Sequence, residues 1–354
     1  MACPGVFTSH GARGAARRGV ARSTWLRAAL SERPRVVARF VLGDCDLRAS
    51  AEGGCDEAAV AREEAEAEAA GHAPFLRLRG HAEEYSALPF KTHAFMMAAL
   101  EQHPSAEWIV KADDDTYLFA GRLRFMLASL MREGHRAYLA ARRGSSVQSL
   151  QAAEGGTAAG FAEAVASAEA SDRAASSLPL PADAWQREAA YYVGCMKKGW
   201  PMPEGSKWHE PWAGVLGKKQ FPAHAWGPVY ALSSNAARAV AAQSGLRYMS
   251  NEDLTVGVWM LGLNVTIRDE RRLCHSVASC ARNSLAVYDI PKCSGLCHPE
   301  ESMPQIHASA QCQGGAPLEW EQLSAPEEGY LRYAYGEWDD DGRNTPRILW
   351  GESG

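Results

Sequence analysis

Three consecutive carboxylates end an apolar segment in the first half of the chain. The stretch from Trp108 to Leu118 reads WIVKADDDTYL, and its acidic residues are Asp113, Asp114 and Asp115. A short apolar run predicts a buried strand, and ligands of α/β proteins bind at the carboxyl ends of such strands. Clustered carboxylate oxygens suit Mg²⁺ or Mn²⁺. The pattern therefore predicts a divalent metal site of the kind that neutralises a departing diphosphate.

A second acidic triplet, Asp339 to Asp341, lacks this context. It lies in GEWDDDGRN, follows no apolar run and precedes a glycine. We interpret it as a solvent-exposed loop. The same interpretation, a solvated turn, exists for the first triplet, but the strand before it and the amphipathic helix after it favour a functional site there.

The acidic pair Glu252 and Asp253 allows two interpretations. It lies in SNEDLTVGVWMLG, where Ser250 and Asp253 fit a capping box and acids in a first turn offset the helix dipole. Alternatively, a carboxylate at the start of this helix faces a cleft and takes a proton from a hydroxyl. The residues alone favour the cap.

An aromatic loop runs from Lys207 to Tyr230 and carries Trp208, Trp212 and Trp226 among glycines and prolines. Tryptophan faces stack on sugar rings or bases. The same rings would also serve to cover the core, and the pattern does not separate the two interpretations.

Three histidines are candidates to complete a metal shell begun by Asp115: His275, His298 and His307. Imidazole binds many divalent metals. A lone histidine is nevertheless more often structural, so spacing alone selects none of them.

Apolar runs alternate with helical patterns along most of the chain, which predicts a mostly parallel sheet with helices on both faces. We expect one catalytic domain over residues 5–300, with a low-complexity inserted loop at about 144–188 and an irregular extension over 301–354. The predicted strands are 5–10, 35–43, 75–78, 108–112, 191–195, 229–233 and 264–268, and the predicted helices are 17–30, 56–70, 86–103, 123–131, 234–243 and 250–261.

Composition and absent motifs exclude several classes of protein. The net charge of −5 argues against a nucleic-acid partner, which needs a basic face. No apolar run reaches the length of about 18 residues that predicts a membrane span, and the first residues lack the apolar core of a signal peptide. Dinucleotide, P-loop and nucleophile-elbow motifs are also missing from the sequence.

Nine cysteines occur, five of them between Cys274 and Cys312. Disulfides formed in an oxidising lumen are one interpretation. A zinc site that uses Cys293 and Cys297 is another, although the CSGLC spacing fits a zinc motif poorly. If the other cysteines are bridged, the odd number leaves at least one thiol unpaired.

Eight segments, in this order, resemble the β-1,3-galactosyltransferase and fringe family, glycosyltransferase family 31, with the plant and algal members most similar. The resemblance covers about residues 6–268, interrupted by the predicted insertion at about 144–188. The segments are RRGVARSTW (17–25), RFVLG (39–43), EEYSALPFKT (83–92), KADDDTYL (111–118), YYVG (191–194), KWHEPW (207–212), GPVYALS (227–233) and NEDLTVGVWMLGL (251–263).

The resemblance implies a GT-A fold and an inverting, Mn²⁺- or Mg²⁺-dependent transfer from a UDP-sugar. The expected reaction moves a hexose, galactose first, to a hydroxyl of a glycan or glycoprotein in a β-1,3 linkage. Two alternatives remain: the same fold using UDP-GlcNAc or another UDP-sugar, and a non-catalytic sugar-binding or chaperone relative. The complete Asp triplet favours catalysis. A metal-dependent phosphohydrolase would need a second cluster of acidic residues or histidines, and the sequence shows no such cluster.

The resemblance also implies roles for individual residues. Asp253 is the expected catalytic base, and Glu252 is the fallback. The expected metal ligands are Asp113, Asp115 and His298. The expected contacts to the nucleotide-sugar are Arg22, Lys91, Asp113, Asp114, Trp208, Trp226 and Gly227.

Family members are type II membrane proteins of the Golgi, so a Golgi lumenal location is expected, with membrane association only through an anchor absent from this sequence. The cysteines and the sequon that begins at Asn264 favour a lumenal location. One departure is Gly227-Pro228-Val229-Tyr230, where the family often has a Gly-Gly-Tyr-like stretch. This change would reshape the donor loop.

Overall fold

The structure is a computed structural model. It describes residues 2–31, 36–45, 56–132, 134, 190–199, 201–216, 221–263, 265–289 and 293–313. The predicted insertion at 144–188, Asn264 and the second triplet at Asp339 lie outside the described residues. Residues 1–126 and 190–354 form one compact unit, and residues 127–189 form another. The candidate site belongs to the first unit.

A seven-stranded sheet organises this first unit. Its spatial order is β3-β2-β1-β4-β7-β6-β8, and every neighbouring pair is parallel except β4–β7 and β7–β6. The predicted α/β class with a mostly parallel sheet is therefore confirmed. The strands are β1 (Ala2–Phe7), β2 (Arg39–Asp44), β3 (Phe75–Ala82), β4 (Trp108–Asp113), β6 (Tyr191–Lys198), β7 (Ala223–Ser233) and β8 (Thr266–Asp269). A two-stranded sheet pairs β5 (Tyr117–Leu118) with β9 (Ala286–Val287).

Helices connect and cover these strands. None of the helices in the described ranges is long and apolar enough to cross a bilayer. The helices are α1 (Gly11–Ser23), α2 (Trp25–Ser31), α3 (Glu57–Ala69), α4 (Leu88–Gln102), α5 (residues 120–132), α6 (Ala213–Leu216), α7 (Ser234–Ala241), α8 (Glu252–Leu261), α9 (Pro299–Ala308) and α10 (Ala310–Gln313).

Both faces of the sheet are packed, as the alternation of strand side chains requires. On one face, the ring of Phe7 meets Phe95 of α4 edge-to-face with their centroids 5.5 Å apart. On the opposite face, Phe40 and its register partner Phe75 lie beneath the guanidinium of Arg22 in α1, at 4.7 and 5.6 Å. The predicted placement of helices on both faces is confirmed.

Several predicted boundaries are wrong because hydrophobic periodicity does not locate the residues at which a helix or strand begins, ends or is interrupted. The predicted helix over 17–30 is two helices, separated at Thr24, whose hydroxyl donates to the carbonyl of Val20. The predicted strand over 5–10 ends at Phe7, and helix α1 follows at Gly11. Part of the predicted aromatic loop is the beginning of β7, since residues 223–225 pair with the end of β6.

Residues 301–313, the described part of the predicted extension, are more regular than expected. Helix α9 begins with Pro299, and Glu300 and Glu301 occupy its first turn. Proline at this position and acids near a helix N-terminus both favour helix initiation. Helix α9 packs on α1, the helix that follows β1 along the chain.

Disulfides join the cysteine-rich segment to the sheet and to itself. The bonded pairs are Cys195–Cys274, Cys280–Cys312 and Cys293–Cys297. The disulfide interpretation is therefore confirmed, and the zinc interpretation is wrong because Cys293 and Cys297 are bonded to each other. Among the described residues, Cys3 is buried as a free thiol.

Candidate active site

The acidic triplet at the end of β4 divides into accessible and enclosed carboxylates. The side chains of Asp113 and Asp115 are 30% and 18% exposed, whereas Asp114 between them is only 6% exposed. The backbone N–H of Asp114 donates to the carbonyl of Phe7 in β1, which continues the sheet ladder to this point. Two accessible carboxylates thus flank one that is turned inward.

Asp114 is held by polar partners on α1 and at the end of β1. The hydroxyl of Thr8 donates to Oδ2 over 2.7 Å, and Nη1 of Arg17 donates to Oδ1 over 3.0 Å. Burial raises the pKa of Asp114, and the Asp115 charge adds to this effect, although Arg17 opposes it. Both oxygens of Asp114 are engaged, so this carboxylate fixes the end of the strand.

Asp115 lies between Arg17 and a disulfide-closed loop. Nη1 of Arg17 is 3.0 Å from Oδ2 of Asp115. On the other side, a Cβ added at Gly295 would come within 2.0 Å of Oδ1, so a residue with a side chain does not fit there without a shift. The next residue, Leu296, donates its N–H to the carbonyl of Asp115 over 2.7 Å. The Cys293–Cys297 bridge closes the loop that makes both contacts.

A buried lysine connects the acidic triplet to the rest of the site. Nζ of Lys111 is 2.7 Å from Oδ1 of Asp113 and donates to the carbonyl of Gly227 in β7 over 2.5 Å. It is also 3.7 Å from Oε2 of Glu252. Burial raises the pKa of Asp113 to about 7, against the opposing effect of Lys111 and with added repulsion from Asp115 and Glu252. Lys111 therefore connects the end of β4 with the middle of β7 and the start of α8.

The predicted capping box at the start of α8 does not form. The N-cap residue is Asn251, which makes no side-chain capping hydrogen bond within the described residues, and the N–H of Ser250 donates to Oε2 of Glu210 over 2.7 Å. The carboxylate of Asp253 instead lies 2.7 Å from Nζ of Lys197 in β6. The capping box is therefore absent, but Asp253 still lies in the first turn of α8, where its Oδ1 accepts a hydrogen bond from the N–H of Leu254 over 2.9 Å. Its carboxylate thus lies among β6, β7 and α8.

The two acids of α8 have different environments. Glu252 is buried, and its Oε1 accepts hydrogen bonds from the hydroxyls of Thr92 and Tyr230. Asp253 is 16% exposed. Burial alone would raise the pKa of Asp253, but Lys197 and His224 outweigh it and lower the pKa to about 2. Asp253 is thus a carboxylate that stays ionised and is reached from solvent.

Gly227 and two tryptophans surround Asp253. A Cβ added at Gly227 would lie 3.8 Å from the side chain of Asp253, so the backbone of β7 passes close to this carboxylate. The ammonium of Lys197 lies 4.0 Å from the ring centroid of Trp226. Trp208 is 47% exposed, and its carbonyl accepts a hydrogen bond from the side-chain amide of Asn251. Trp208 is therefore exposed beside the start of α8, with the ammonium of Lys207 5.8 Å from its ring centroid, and does not cover the core.

Two of the predicted nucleotide contacts make strong internal ion pairs. Arg22 pairs with Glu63 of α3, a carboxylate that Arg18 shares. Lys91 donates to Glu83 and to the carbonyl of Thr8 over 2.8 Å, and burial lowers its pKa. Both cations stabilise the end of the sheet next to the acidic triplet, and their role in nucleotide binding stays a prediction.

The three candidate histidines lie in different settings. Nδ1 of His275 contacts the hydroxyl of Ser284 over 2.5 Å in the core, and Nδ1 of His307 contacts the hydroxyl of Tyr117 over 2.9 Å. His298 is exposed at the N-cap of α9, three residues after Gly295. Of the three, His298 combines exposure with closeness along the chain to the loop that contacts Asp115.

Sequence reasoning missed three cations of the site: Arg17, Lys111 and Lys197. Lys111 had a usable signal, because it precedes Asp113 by two positions and so shares the same strand face. Arg17 and Lys197 lie on α1 and β6, and no spacing relates them to the carboxylates that they contact. Only the packed structure brings them into the site.

Comparisons with known proteins agree with this arrangement. A family model described as Galactosyltransferase matches residues 16–151 and 181–271. Probable beta-1,3-galactosyltransferase 13 of Arabidopsis thaliana is 34% identical over 317 residues, covering 87% of this chain and 72% of that protein. Probable beta-1,3-galactosyltransferase 12 of Arabidopsis thaliana is 33% identical over 239 residues, covering 67% of this chain and 48% of that protein.

The mostly parallel α/β sheet and these matches define a glycosyltransferase. The chain belongs to the galactosyltransferase family, and its relatives are of the β-1,3 type. The resemblance drawn from the eight segments is therefore confirmed. One solved chain, a glycosyltransferase involved in the glycosylation of the major capsid of PBCV-1, is 13% identical with a TM-score of 0.28, covering 75% of this chain and 99% of that chain. A likeness of this size carries no argument about function.

Proposed function

We propose that the protein is a metal-dependent, inverting β-1,3-galactosyltransferase. It moves galactose from UDP-galactose to a hydroxyl of a glycan or glycoprotein acceptor. The observation that carries the proposal is the position of Lys111, whose ammonium is 2.7 Å from Asp113 and 3.7 Å from Glu252. The acidic end of β4 and the acidic start of α8 therefore belong to one site, as a transfer between a diphosphate leaving group and a base requires.

Asp113 and Asp115 are the proposed metal ligands. Their accessible carboxylates on either side of the enclosed Asp114 offer oxygen ligands of the kind that Mn²⁺ or Mg²⁺ prefers. His298 is the proposed third ligand, because it lies three residues after Gly295 of the loop that contacts Asp115, whereas hydroxyl groups engage His275 and His307. Within the described ranges, the ligand atoms of Asp113, Asp115 and His298 do not all lie within 4.8 Å of one another, so this ligand set requires the side chains to move together. A cation held here supplies the Lewis acid that neutralises the departing diphosphate.

Asp253 is the proposed catalytic base. Its carboxylate accepts the proton of the acceptor hydroxyl while that oxygen forms its bond to the anomeric carbon. The bond between this carbon and the UDP oxygen breaks on the opposite face, so an α-linked donor gives a β-linked product. The attacking hydroxyl becomes strongly acidic as its bond to carbon forms, so the ionised carboxylate is able to accept the proton at that stage. Its pKa of about 2 lies well below the value near the operating pH that makes a general base most effective. Glu252 is the weaker candidate, since its side chain is 6% exposed against 16% for Asp253 and its Oε1 accepts hydrogen bonds from Thr92 and Tyr230.

The remaining site residues are proposed to hold the donor. Trp226 and Gly227 flank Asp253 and thus lie where the transferred sugar meets the base. Trp208 offers an exposed ring face of the kind that stacks on a pyranose. Asp114 is proposed to contribute only indirectly, by holding Thr8 and Arg17 in place, because both of its oxygens are engaged by these residues.

The proposed location is the Golgi lumen, in a protein of type II topology. The disulfides Cys195–Cys274, Cys280–Cys312 and Cys293–Cys297 support an oxidising compartment. The family resemblance supports the Golgi.

The proposal is tested by incubating the purified protein and Mn²⁺ with UDP-Gal, UDP-GlcNAc, UDP-Glc and UDP-GlcA in parallel, with β-galactoside acceptors. We expect UDP release and transfer with UDP-Gal above all, abolished by a chelator and restored by Mn²⁺. The anomeric proton coupling of the product, measured by NMR, should report a β linkage. An α product would exclude single-step inversion, and a preference for another donor would replace galactose in the proposal.

A further inference from the structure

Arg17 bridges two neighbouring carboxylates of the acidic triplet, those of Asp114 and Asp115. A single nitrogen, Nη1, is 3.0 Å from Oδ1 of Asp114 and 3.0 Å from Oδ2 of Asp115. The side chain is only 14% exposed, and the carboxylate of Glu300 on α9 adds a further negative charge around it. Arg17 is thus the cation that neutralises the two carboxylates in the structure.

The two carboxylates that share Arg17 are not equivalent. Asp114 is enclosed, and its second oxygen is held by the hydroxyl of Thr8. Asp115 is more exposed and is a proposed metal ligand. A divalent cation at Asp115 and a guanidinium 3.0 Å from the same carboxylate would repel each other strongly at this depth. Arg17 therefore retains Asp114 but must weaken its contact with Asp115 when a cation binds.

One hydrogen-bond donor of the Arg17 guanidinium, the Nε–H group, is unpaired within the described residues. Nε of Arg17 is buried and has no hydrogen-bond partner among the residues that the structure describes. Buried donors are rarely left unpaired in native proteins, and an orphaned donor calls for a ligand that would satisfy it. The planar fork of arginine matches the oxygens of a phosphate group better than a lysine ammonium does.

We propose that Arg17 is a resident counter-ion that competes with the divalent cation for Asp115 and then donates to the diphosphate of the nucleotide donor. The inference rests on the proposed function and adds a coupling to it. Metal binding turns Arg17 from a carboxylate partner into a phosphate partner, so metal and nucleoside diphosphate bind cooperatively. The enzyme thereby holds free Mn²⁺ weakly and the Mn²⁺–UDP pair tightly.

The test measures the affinities for Mn²⁺ and for UDP, which substitution of Arg17 should change in opposite directions. Arg17→Met should tighten Mn²⁺ binding in the absence of nucleotide by about fivefold and weaken UDP binding at saturating Mn²⁺ by at least about tenfold, within the usual range of coupling between sites. Electron paramagnetic resonance of free Mn²⁺ measures the first affinity, and calorimetry with UDP measures the second. Arg17→Lys retains the charge but not the fork, so it should leave the Mn²⁺ affinity near that of the wild type and still weaken UDP binding.

Arg13→Met is the matched control, because Arg13 is exposed on the same helix, and it should change neither affinity. Arg17→Gln is neutral and polar. It should likewise tighten Mn²⁺ binding and weaken UDP binding, and it replaces the methionine variant if that variant does not fold. If neutral variants bind free Mn²⁺ more weakly than the wild type, Arg17 supports the metal and the inference is wrong. If the wild type binds neither Mn²⁺ nor UDP, the proposed function fails before Arg17 is tested.

Discussion

Nζ of Lys197 lies 2.7 Å from Oδ2 of Asp253, and this ion pair determines the protonation state of the proposed base. Burial raises the pKa of a carboxyl group, yet the pKa of Asp253 is lowered to about 2 because Lys197 and His224 stabilise the charged form. The same lysine lies over the ring of Trp226. Because Lys197 contacts the proposed base, we expect it to act on the proposed reaction through Asp253.

Lys197→Met should change the pH dependence of turnover. With Lys197 present, Asp253 is ionised throughout the range above about pH 4, so it should contribute no acidic limb to kcat/KM near neutral pH. Without the lysine, burial is opposed by fewer charges, and the pKa of Asp253 should rise. We expect an acidic limb to appear in the kcat/KM profile, with the largest loss of activity at the lowest pH.

Lys197→Arg serves as the charge-conserving control and should keep the wild-type profile. A Lys197→Met variant whose activity falls equally at every pH would show that the lysine acts by other means than the ionisation of Asp253.

Asp253→Asn should separate binding from chemistry. The amide keeps the size of the side chain but does not accept the proton, so kcat should fall by about 10²–10⁴-fold, the usual contribution of a general base. The Mn²⁺-dependent affinity for UDP, measured by calorimetry, should stay within a few-fold of the wild type. Unchanged turnover would remove Asp253 from the mechanism.

Glu252→Gln is the paired variant. Its target is buried and bonded to Thr92 and Tyr230, so we expect a lower unfolding temperature together with a smaller loss of kcat than in Asp253→Asn. The opposite ranking of the two kcat values would make Glu252 the base.

Gly295→Ala should weaken metal binding through Asp115. The added methyl group would come within 2.0 Å of Oδ1 of Asp115 and must displace the carboxylate or the disulfide loop. We expect the Mn²⁺ affinity to fall toward that of Asp115→Ala, which should lose metal dependence and activity, while overpacking lowers the unfolding free energy by about 1–3 kcal/mol. Titration of turnover with Mn²⁺ and chemical denaturation measure the two effects.

Gly214→Ala is the control for this experiment, since a Cβ added at Gly214 meets nothing within 4 Å. It should leave the Mn²⁺ titration unchanged. An unchanged titration in Gly295→Ala as well would mean that the loop does not position Asp115 for a metal.

His224 should make the protein less stable in mild acid. The histidine is 2% exposed, and burial together with Lys197 lowers its pKa to about 4. Because the folded pKa is below the unfolded value of about 6.5, His224 supports stability fully above pH 6.5 and loses this contribution as the pH falls toward 4. The loss amounts to about 3 kcal/mol at most.

Chemical denaturation at pH 7.5, 5.5 and 4.5 tests this expectation. The unfolding free energy of the wild type should decline across the series, and His224→Gln should decline less, because glutamine does not titrate. Parallel curves for the two proteins would assign the acid sensitivity to other groups.

Much of the site followed from local chemistry in the sequence. The apolar run before Asp113 predicts the buried strand, because such a run must leave water, and the structure has β4 there. The ordered motifs predict the family, and the comparisons confirm it. The boundaries were predicted less well: the break at Thr24 and the early start of β7 at Ala223 depend on a side-chain hydrogen bond and on pairing with β6, neither of which leaves a periodic signal.

The amino-acid sequence by itself determined which carboxylates are present, the strand that ends in three of them, and the family to which the chain belongs. The tertiary structure alone decided how each carboxylate is used. Asp114 is enclosed because Thr8 and Arg17 hold it, Glu252 is enclosed because Thr92 and Tyr230 hold it, and Asp253 is paired with Lys197. A carboxylate's pKa and accessibility depend on neighbours from distant parts of the chain, so they become defined only when the sheet and its helices pack together.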